Sequence, residues 1–208
     1  MIGYVVLGMT YAFAASVQPG PLQAYLVSQA LRHGWRRALP GALSPVVSDG
    51  PIIVLVLLVL TRVPPVLIQI LRCAGGAFLV WLAFGAYRSW RDYDPDAAAG
   101  GGTGSRSLLG ATLVNLMNPG PYLGWSLIMG PLLLKAWHEA PANGIALVVA
   151  FYAVMVLSQA AIILLFATTG RAGPRLTRNL IGVSALALAG LGAWQLWWGL
   201  RPLWAGGS

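Results

Sequence analysis

One acidic side chain stands where an acid is expensive. Of the five Asp and Glu residues, Asp92, Asp94 and Asp96 share a Gly-rich stretch and Glu139 sits beside His138, whereas Asp49 lies deep in an apolar run. A carboxylate there points to one of three chemistries: exchange of a proton, recognition of an ammonium group, or a hydrogen bond that ties helices together. One hundred and ten residues on, Gln159 occupies the matching place in Ser158-Gln159, against Ser48-Asp49. A neutral amide opposite a lone acid leaves one titratable site, as a single coupled proton requires, although a buried Gln also serves as a packing hydrogen bond. Ser48 and Ser158 are expected to bond to their own helix backbone. Arg72 is too deep in its apolar run for an ordinary loop charge. It either faces the interior and holds a carboxylate, that of Asp49 or of a bound molecule, or snorkels to the surface.

Two interruptions supply the complementary chemistry. Gln18-Pro19-Gly20-Pro21 and Asn118-Pro119-Gly120-Pro121 fall one hundred residues apart, each inside a long apolar run. Proline removes a backbone donor and clashes with the preceding turn, so each run becomes two half-helices. The restarts at Pro21 and Pro121 are expected to aim amides and a positive dipole end at an anionic group, with Gly20 and Gly120 as backbone donors. The ends near Val17 and Met117 offer carbonyls to an ammonium or cation. Gln18, Asn115 and Asn118 can read either sign or cap the broken ends. Tyr25, Tyr122 and Trp125 lie within two turns of the breaks and either wall a cavity or pack between helices. Paired interruptions in two halves of a membrane protein point to a transporter's midplane site.

The elements that must position these residues follow from composition. With 208 residues, 58% hydrophobic and only 9% charged, the chain reads as an all-α integral membrane protein. About 20 apolar residues span a bilayer, and six runs fit: 2 to 30 (broken), 41 to 61, 64 to 87, 108 to 134 (broken), 142 to 169 and 177 to 200. The net charge of +8 is spread over connections, without the clustered basic surface that nucleic acid needs. Nine Arg residues fall in the first, third and fifth connections, and only Arg62, Lys135 and Arg201 at the opposite side. The positive-inside rule then puts the odd connections in the cytoplasm and both termini outside. With no basic residue before its first run, the chain is expected to retain that run as a helix instead of a cleaved leader.

A third connection, 92 to 107, is rich in Gly, Ala and Asp and reads as a flexible cytoplasmic linker. It separates residues 1 to 91 from 108 to 208, three spans each, so the second half inserts upside down. Val46 to Ile53 aligns with Val156 to Ile163, and Gly85-Ala86-Tyr87 with Gly192-Ala193-Trp194, as two inverted three-helix repeats require. The lone Cys73 excludes a disulfide within the chain and reads as packing. His33 and His138 fall on opposite surfaces and cannot share a metal. Trp194, Trp197, Trp198 and Trp204 read as an interfacial belt. Ala185, Ala189 and Ala193 form a small-residue stripe that serves internal packing or a homodimer contact.

Several of these stretches resemble the lysine exporter (LysE/RhtB) family of bacterial amino-acid exporters. They are Pro19-Gly20-Pro21, the turn from Ser28 through Leu31-Arg32 and Gly34-Trp35-Arg36-Arg37-Ala38, Gly41 through Asp49, Gly75 with Phe78-Leu79 and Trp81-Leu82, and Asn118-Pro119. The resemblance covers nearly the whole chain. It implies a six-helix exporter of amino acids or related small metabolites in the bacterial inner membrane, driven by the proton gradient and without a cofactor. Many members carry Lys after the Asn-Pro of the fourth helix, where this chain has Gly120. Within that frame Asp49 takes the proton and the substrate ammonium, the amides after each break take the carboxylate, and Gln18, Asn118 and Gln159 read polar groups. An inorganic-cation exporter is the alternative, weakened by one buried acid where a divalent ion wants several ligands. A membrane-embedded enzyme lacks a Ser with a His base on its side of the membrane. An accessory subunit leaves the cost of Asp49 unexplained.

Overall fold

A computed structural model describes residues 1–18, 20–59, 65–92, 104–169 and 174–205. Every regular element among them is helical: α1 Ile2–Val17, α2 Pro21–His33, α3 Trp35–Ala38, α4 Ser44–Val59, α5 Pro65–Arg91, α6 Gly104–Leu116, α7 Pro119–Gly124, α8 Gly130–Glu139, α9 Pro141–Thr169 and α10 Pro174–Ala205. A 3-10 segment, Leu39–Leu43, joins α3 to α4, and a π segment, Trp125–Met129, joins α7 to α8. Four helical stretches are long and apolar enough to cross a membrane: Trp35–Val56, Gln69–Arg91, Pro141–Thr168 and Arg175–Arg201. They fall on the four unbroken runs of the sequence. The interrupted runs appear instead as shorter apolar helices, among them Ile2–Val17 and Ser107–Leu116, because a half-helix cannot reach the length of a span.

Both interruptions are real breaks in the helix. Gln18 is extended, at φ −65° and ψ 122°, and α2 begins with Pro21 in its first turn. Asn118 is likewise extended, and its side chain accepts a hydrogen bond from Gly120 N. The second restart therefore comes at Pro119, two residues before the expected Pro121. Proline costs a helix nothing at its first position, where its missing N–H has no partner in any case, and Asn is a preferred cap. Helix α6 begins at Gly104, inside the stretch read as linker, and buries Ser107, whose hydroxyl donates to Ala38 O at 3.4 Å. The rest of that linker beyond Asp92, together with Pro19, Arg62, Pro64, Arg171 and the side chains of Arg106 and Trp204, lies outside the described residues.

Elements of the two halves of the chain are interleaved. Helix α5 packs along α10, α1 and α2 along α9, and α6 against the Leu39–Leu43 segment and α4. Within a bilayer such contacts rest on close packing, since lipid is as apolar as the side chains it replaces. At the α5/α10 seam the approach is close enough that a Cβ on Gly76 would meet Gly192 O at 2.8 Å, and one on Gly192 would meet Gly76 O at 2.9 Å. Only glycine fits both sides. Ala185 and Ala189 of the small-residue stripe also face inward, against the cluster that holds Leu79 and Leu188.

Buried apolar side chains fall into two clusters. One gathers Leu22, Tyr25, Leu26, Leu79, Ala111, Ile163 and Leu188. The other gathers Ala12, Ile52, Leu71, Tyr122, Trp125, Met129, Leu147 and Phe151. Residues at or beside the two breaks contribute to each. The polar side chains that are buried elsewhere in the chain, Ser48, Asp49, Asn115, Gln159 and Gln195 among them, concentrate around the breaks.

Candidate functional site

Asp49 is set in place by its own helix start. Pro40 lies in the 3-10 turn that leads into α4 and Pro45 in the first turn of α4, and the start of this helix carries Ser44, Ser48 and Asp49 inward, all buried. Ser48 donates to Ser44 O at 2.8 Å, spending its proton on its own helix. Its oxygen then accepts from Asn115 Nδ2 at 2.7 Å. Asp49, only 3% exposed, accepts from Asn115 Nδ2 at 3.3 Å on Oδ1. On Oδ2 it accepts from Trp125 Nε1 at 3.1 Å and the Tyr152 hydroxyl at 3.3 Å. These donors come from α6, the π segment and α9, so one carboxylate joins four segments of chain.

All three donors are neutral. Among the described residues the ion pair is the exposed one between neighbours Arg91 and Asp92, and Asp49 has no cationic partner. A buried carboxylate is tolerable when its oxygens are hydrogen-bonded. It remains the group whose charge changes most cheaply when a proton or cation arrives.

Asp49 forms part of the wall of a cavity of about 390 Å³, within the size of small-molecule sites. Both breaks open onto it: Gln18, Gly20 and Pro21 from the first, Asn118, Pro119, Gly120 and Pro121 from the second. Of the other residues that the sequence nominated, Trp125, Gln159 and Arg72 line it as well. Arg72 contributes to the lining of this cavity, with its guanidinium 5.7 Å from the ring centre of Trp198, and it does not pair with Asp49. Gln159 is fully buried and has only a long contact, Nε2 to Met155 Sδ at 3.9 Å.

Three nominated features take other roles. Tyr25 does not line the cavity; it is 4% exposed in the first apolar cluster, with its hydroxyl seated on Gly110. Its alignment with Trp125 therefore marks equal distance from a break and not equal function. Tyr122 donates to Leu116 O at 2.9 Å, closing a carbonyl freed by the second break. The amides expected to receive an anion are depleted at that break: Pro119 and Pro121 have none, and Gly120 N is taken by Asn118 Oδ1 at 3.1 Å. At the first break Gln23 does the equivalent repair, donating to Ala15 O at 3.4 Å and Ser16 O at 3.2 Å.

Sequence reasoning missed four participants. Tyr152 supplies a donor to Asp49, and Gln195 brings a buried amide to the cavity. Trp194 and Trp198, assigned to an interfacial belt, line the cavity as well, while Trp197 on the other face of α10 is 69% exposed. The available signal was spacing: Leu191, Trp194, Gln195 and Trp198 follow the period of one helix face. A pair of tyrosine–glycine contacts also frames the site. Tyr25 meets Gly110, and Tyr11, itself in the cavity wall, meets Gly124. Each joins a half of the first broken run to a half of the second.

A family model described as LysE type translocator matches residues 13–196. That range contains both breaks and every residue of the Asp49 network. No curated protein and no solved structure matches the chain.

Proposed function

Because the chain belongs to the LysE type translocator family, a family of membrane transporters, we propose that it exports an amino acid or a related small metabolite across the bacterial inner membrane in exchange for protons. One observation carries this reading above the others. The two broken runs meet at a cavity that has a lone, neutrally solvated carboxylate in its wall. Irregular backbone inside a membrane is tolerated where it lines such a space.

The mechanism follows from what Asp49 holds together. Ionised, it takes donors from α6, the π segment and α9, and ties α4 to all three. A proton arriving on Oδ2 turns it into a donor, so Trp125 and Tyr152 cannot both go on donating to it, and the Tyr152 hydroxyl must turn to accept or leave. The packed helices on either side are then free to adopt a second arrangement. Proton occupancy and the position of the helices become linked, as exchange transport requires. Substrate carrying an ammonium competes for the same carboxylate.

Alternating access requires two related halves, and the contacts support a six-span inverted repeat. The first broken run packs on α9 of the second half, and α6 of the second broken run packs on the α4 segment of the first half. With the Arg-rich connections in the cytoplasm, the cluster holding Tyr25 lies on the inner side of the cavity, and Arg72, Trp194 and Trp198 lie toward the outer side.

The test is export from cells making the protein or its Asp49→Asn variant at equal membrane abundance, with external metabolites surveyed by mass spectrometry. An amine-bearing metabolite accumulates outside only with Asp49 present, and its efflux follows the pH gradient. Efflux by Asp49→Asn that still follows the pH gradient would sink the coupling role.

A further inference from the structure

Helix α7 is bounded at both ends by irregular backbone. Before it Asn118 is extended, at φ −88° and ψ 125°. After it the chain passes through the π segment Trp125–Met129, where Gly130 N donates to Trp125 O. A π turn holds one residue more than an α turn, is rare, and recurs at functional sites. Here the wider turn is not favoured by its backbone bonds. In an α turn Gly130 N would bond to Ser126 O instead, and Pro131, which has no N–H, loses nothing in either winding. The wider turn needs its glycine: a Cβ at position 130 would stand 2.5 Å from Trp125 O. A regular α turn accepts alanine there and gains by it. The buried hydroxyl of Ser126 also has no partner in the present winding, which adds to its cost.

What holds the wider turn stands at its first residue. Trp125 donates its indole N–H to Asp49 Oδ2 at 3.1 Å, and Tyr11 of α1 sits on Gly124 just before it. Winding the segment to α, with no residue lost, turns everything on its N-terminal side by about 100° and carries it about 1.5 Å along the axis relative to α8. That movement takes the indole away from Asp49. Helix α8 stays packed along α9, so the part that moves is α7, only six residues long. Its extended neighbour Asn118 takes up the rotation, and the Tyr122 bond to Leu116 O is released. Asn118, Pro119, Gly120 and Pro121 line the cavity, so a turn of α7 reshapes the cavity wall at the second break.

Resting on the exporter reading, we propose that the π segment converts loss of the bond between Trp125 and Asp49 into movement of the second break. With the bond made, the segment is held as a π turn; with the bond released, it winds to α and turns α7. Two windings of one stretch that differ by few interactions are what a two-state element needs. Whatever competes with the indole for Oδ2 acts through the same element.

The experiment reads the rotation itself and needs no substrate. Spin labels are placed at Leu123→Cys on α7 and Ile145→Cys on α9, both exposed, in the purified full-length protein with Cys73→Ala. The distance between them is measured by double electron–electron resonance. Asp49→Asn is expected to move most of the population from the parent distance to a second one. Gly130→Ala, which cannot keep the π turn, shows that second distance with Asp49 intact. Deletion of Leu127, an exposed residue of the segment, removes the extra residue and closes an α turn with α7 in place. The parent distance then persists even beside Asp49→Asn. One variant moves α7 without touching Asp49 and the other holds α7 when Asp49 is lost, a pair of opposite effects that misfolding cannot give. The proposal is overturned if Asp49→Asn or Gly130→Ala keeps the parent distance. It is equally overturned if the Leu127 deletion beside Asp49→Asn shifts as far as Asp49→Asn alone. Should one of the two segment variants fail to fold, the other decides. An unmoved α7 removes this switch and leaves the exporter reading standing, since that reading falls on the efflux survey alone.

Discussion

Asp49 and Trp125 offer the sharpest test at the scale of single residues. The indole N–H donates to Oδ2 at 3.1 Å, and the ring also meets Phe151 edge-on, with centroids 5.8 Å apart. Trp125→Phe keeps an aromatic ring in that contact and deletes the donor. Removing one hydrogen bond to a buried charged group costs about 1–3 kcal/mol. Thermal unfolding in detergent is expected to show that loss in the parent background and to show much less of it beside Asp49→Asn. Equal losses in both backgrounds would mean that Trp125 matters for packing and not for the carboxylate. Asp49 was legible in the sequence because an acid inside an apolar run is costly whatever it does there. Asn115 and Trp125 were named for their place near a break, but their bonds to Asp49 were not legible and Tyr152 was missed, because sequence gives no direction for a side chain. Trp194 and Trp198 show the same limit: their place near the end of a run was read correctly, and the face they present was not.

The broken helices repay analysis at the scale of elements. Proline and glycine announced the breaks, and even the mismatch at the second one, where the helix resumes at Pro119, follows from Asn118 capping Gly120. The π segment from Trp125 to Met129 was hidden. Its last turn ends with Gly130 N donating to Trp125 O, and the extra residue in that turn sits just before Pro131, which cannot donate. Equally hidden were the contacts that join the broken runs, because they involve glycines far apart in sequence. A Cβ on Gly110 would collide with the Tyr25 hydroxyl, and also with Tyr25 Cζ at 2.8 Å. Gly110→Ala is therefore expected to cost about 1–3 kcal/mol, as overpacking does. Removing the hydroxyl relieves the closer of the two contacts and leaves the ring carbon at 2.8 Å, so Tyr25→Phe with Gly110→Ala regains part of the lost stability and transport, while Tyr25→Phe alone changes little. If the double variant is no better than Gly110→Ala, the seat of Tyr25 on Gly110 is not what closes this side of the cavity.

For the whole molecule the decisive asymmetry is charge. Helix α5 runs from Pro65 to an end that carries Arg88 and Arg91, and α2 ends in Arg32 and His33. On the same side Arg32 Nε donates to Ser89 Oγ at 2.9 Å, and Arg178 Nε donates to Trp90 O at 3.2 Å. The ends of α2, α5 and α10 therefore form one basic surface, locked by bonds between elements. At the other surface α8 and α9 meet around Ala140, with His138 and Glu139 exposed and a single Lys135 nearby. In the topology we propose, the basic surface faces the cytoplasm. In a background where Cys73 is replaced by Ala, single cysteines at Asp92 and Ala142, both exposed, report the two sides. A thiol reagent that cannot cross the membrane should label Ala142→Cys in intact cells and reach Asp92→Cys only after the cells are opened. The reverse pattern would turn the molecule over and place the Arg72 and Trp198 side of the cavity toward the cytoplasm. Tyr25 on Gly110 would then pack on the outer side. Labelling thus fixes the side of the membrane on which this contact lies, and substitution of Gly110 then acts on the known side.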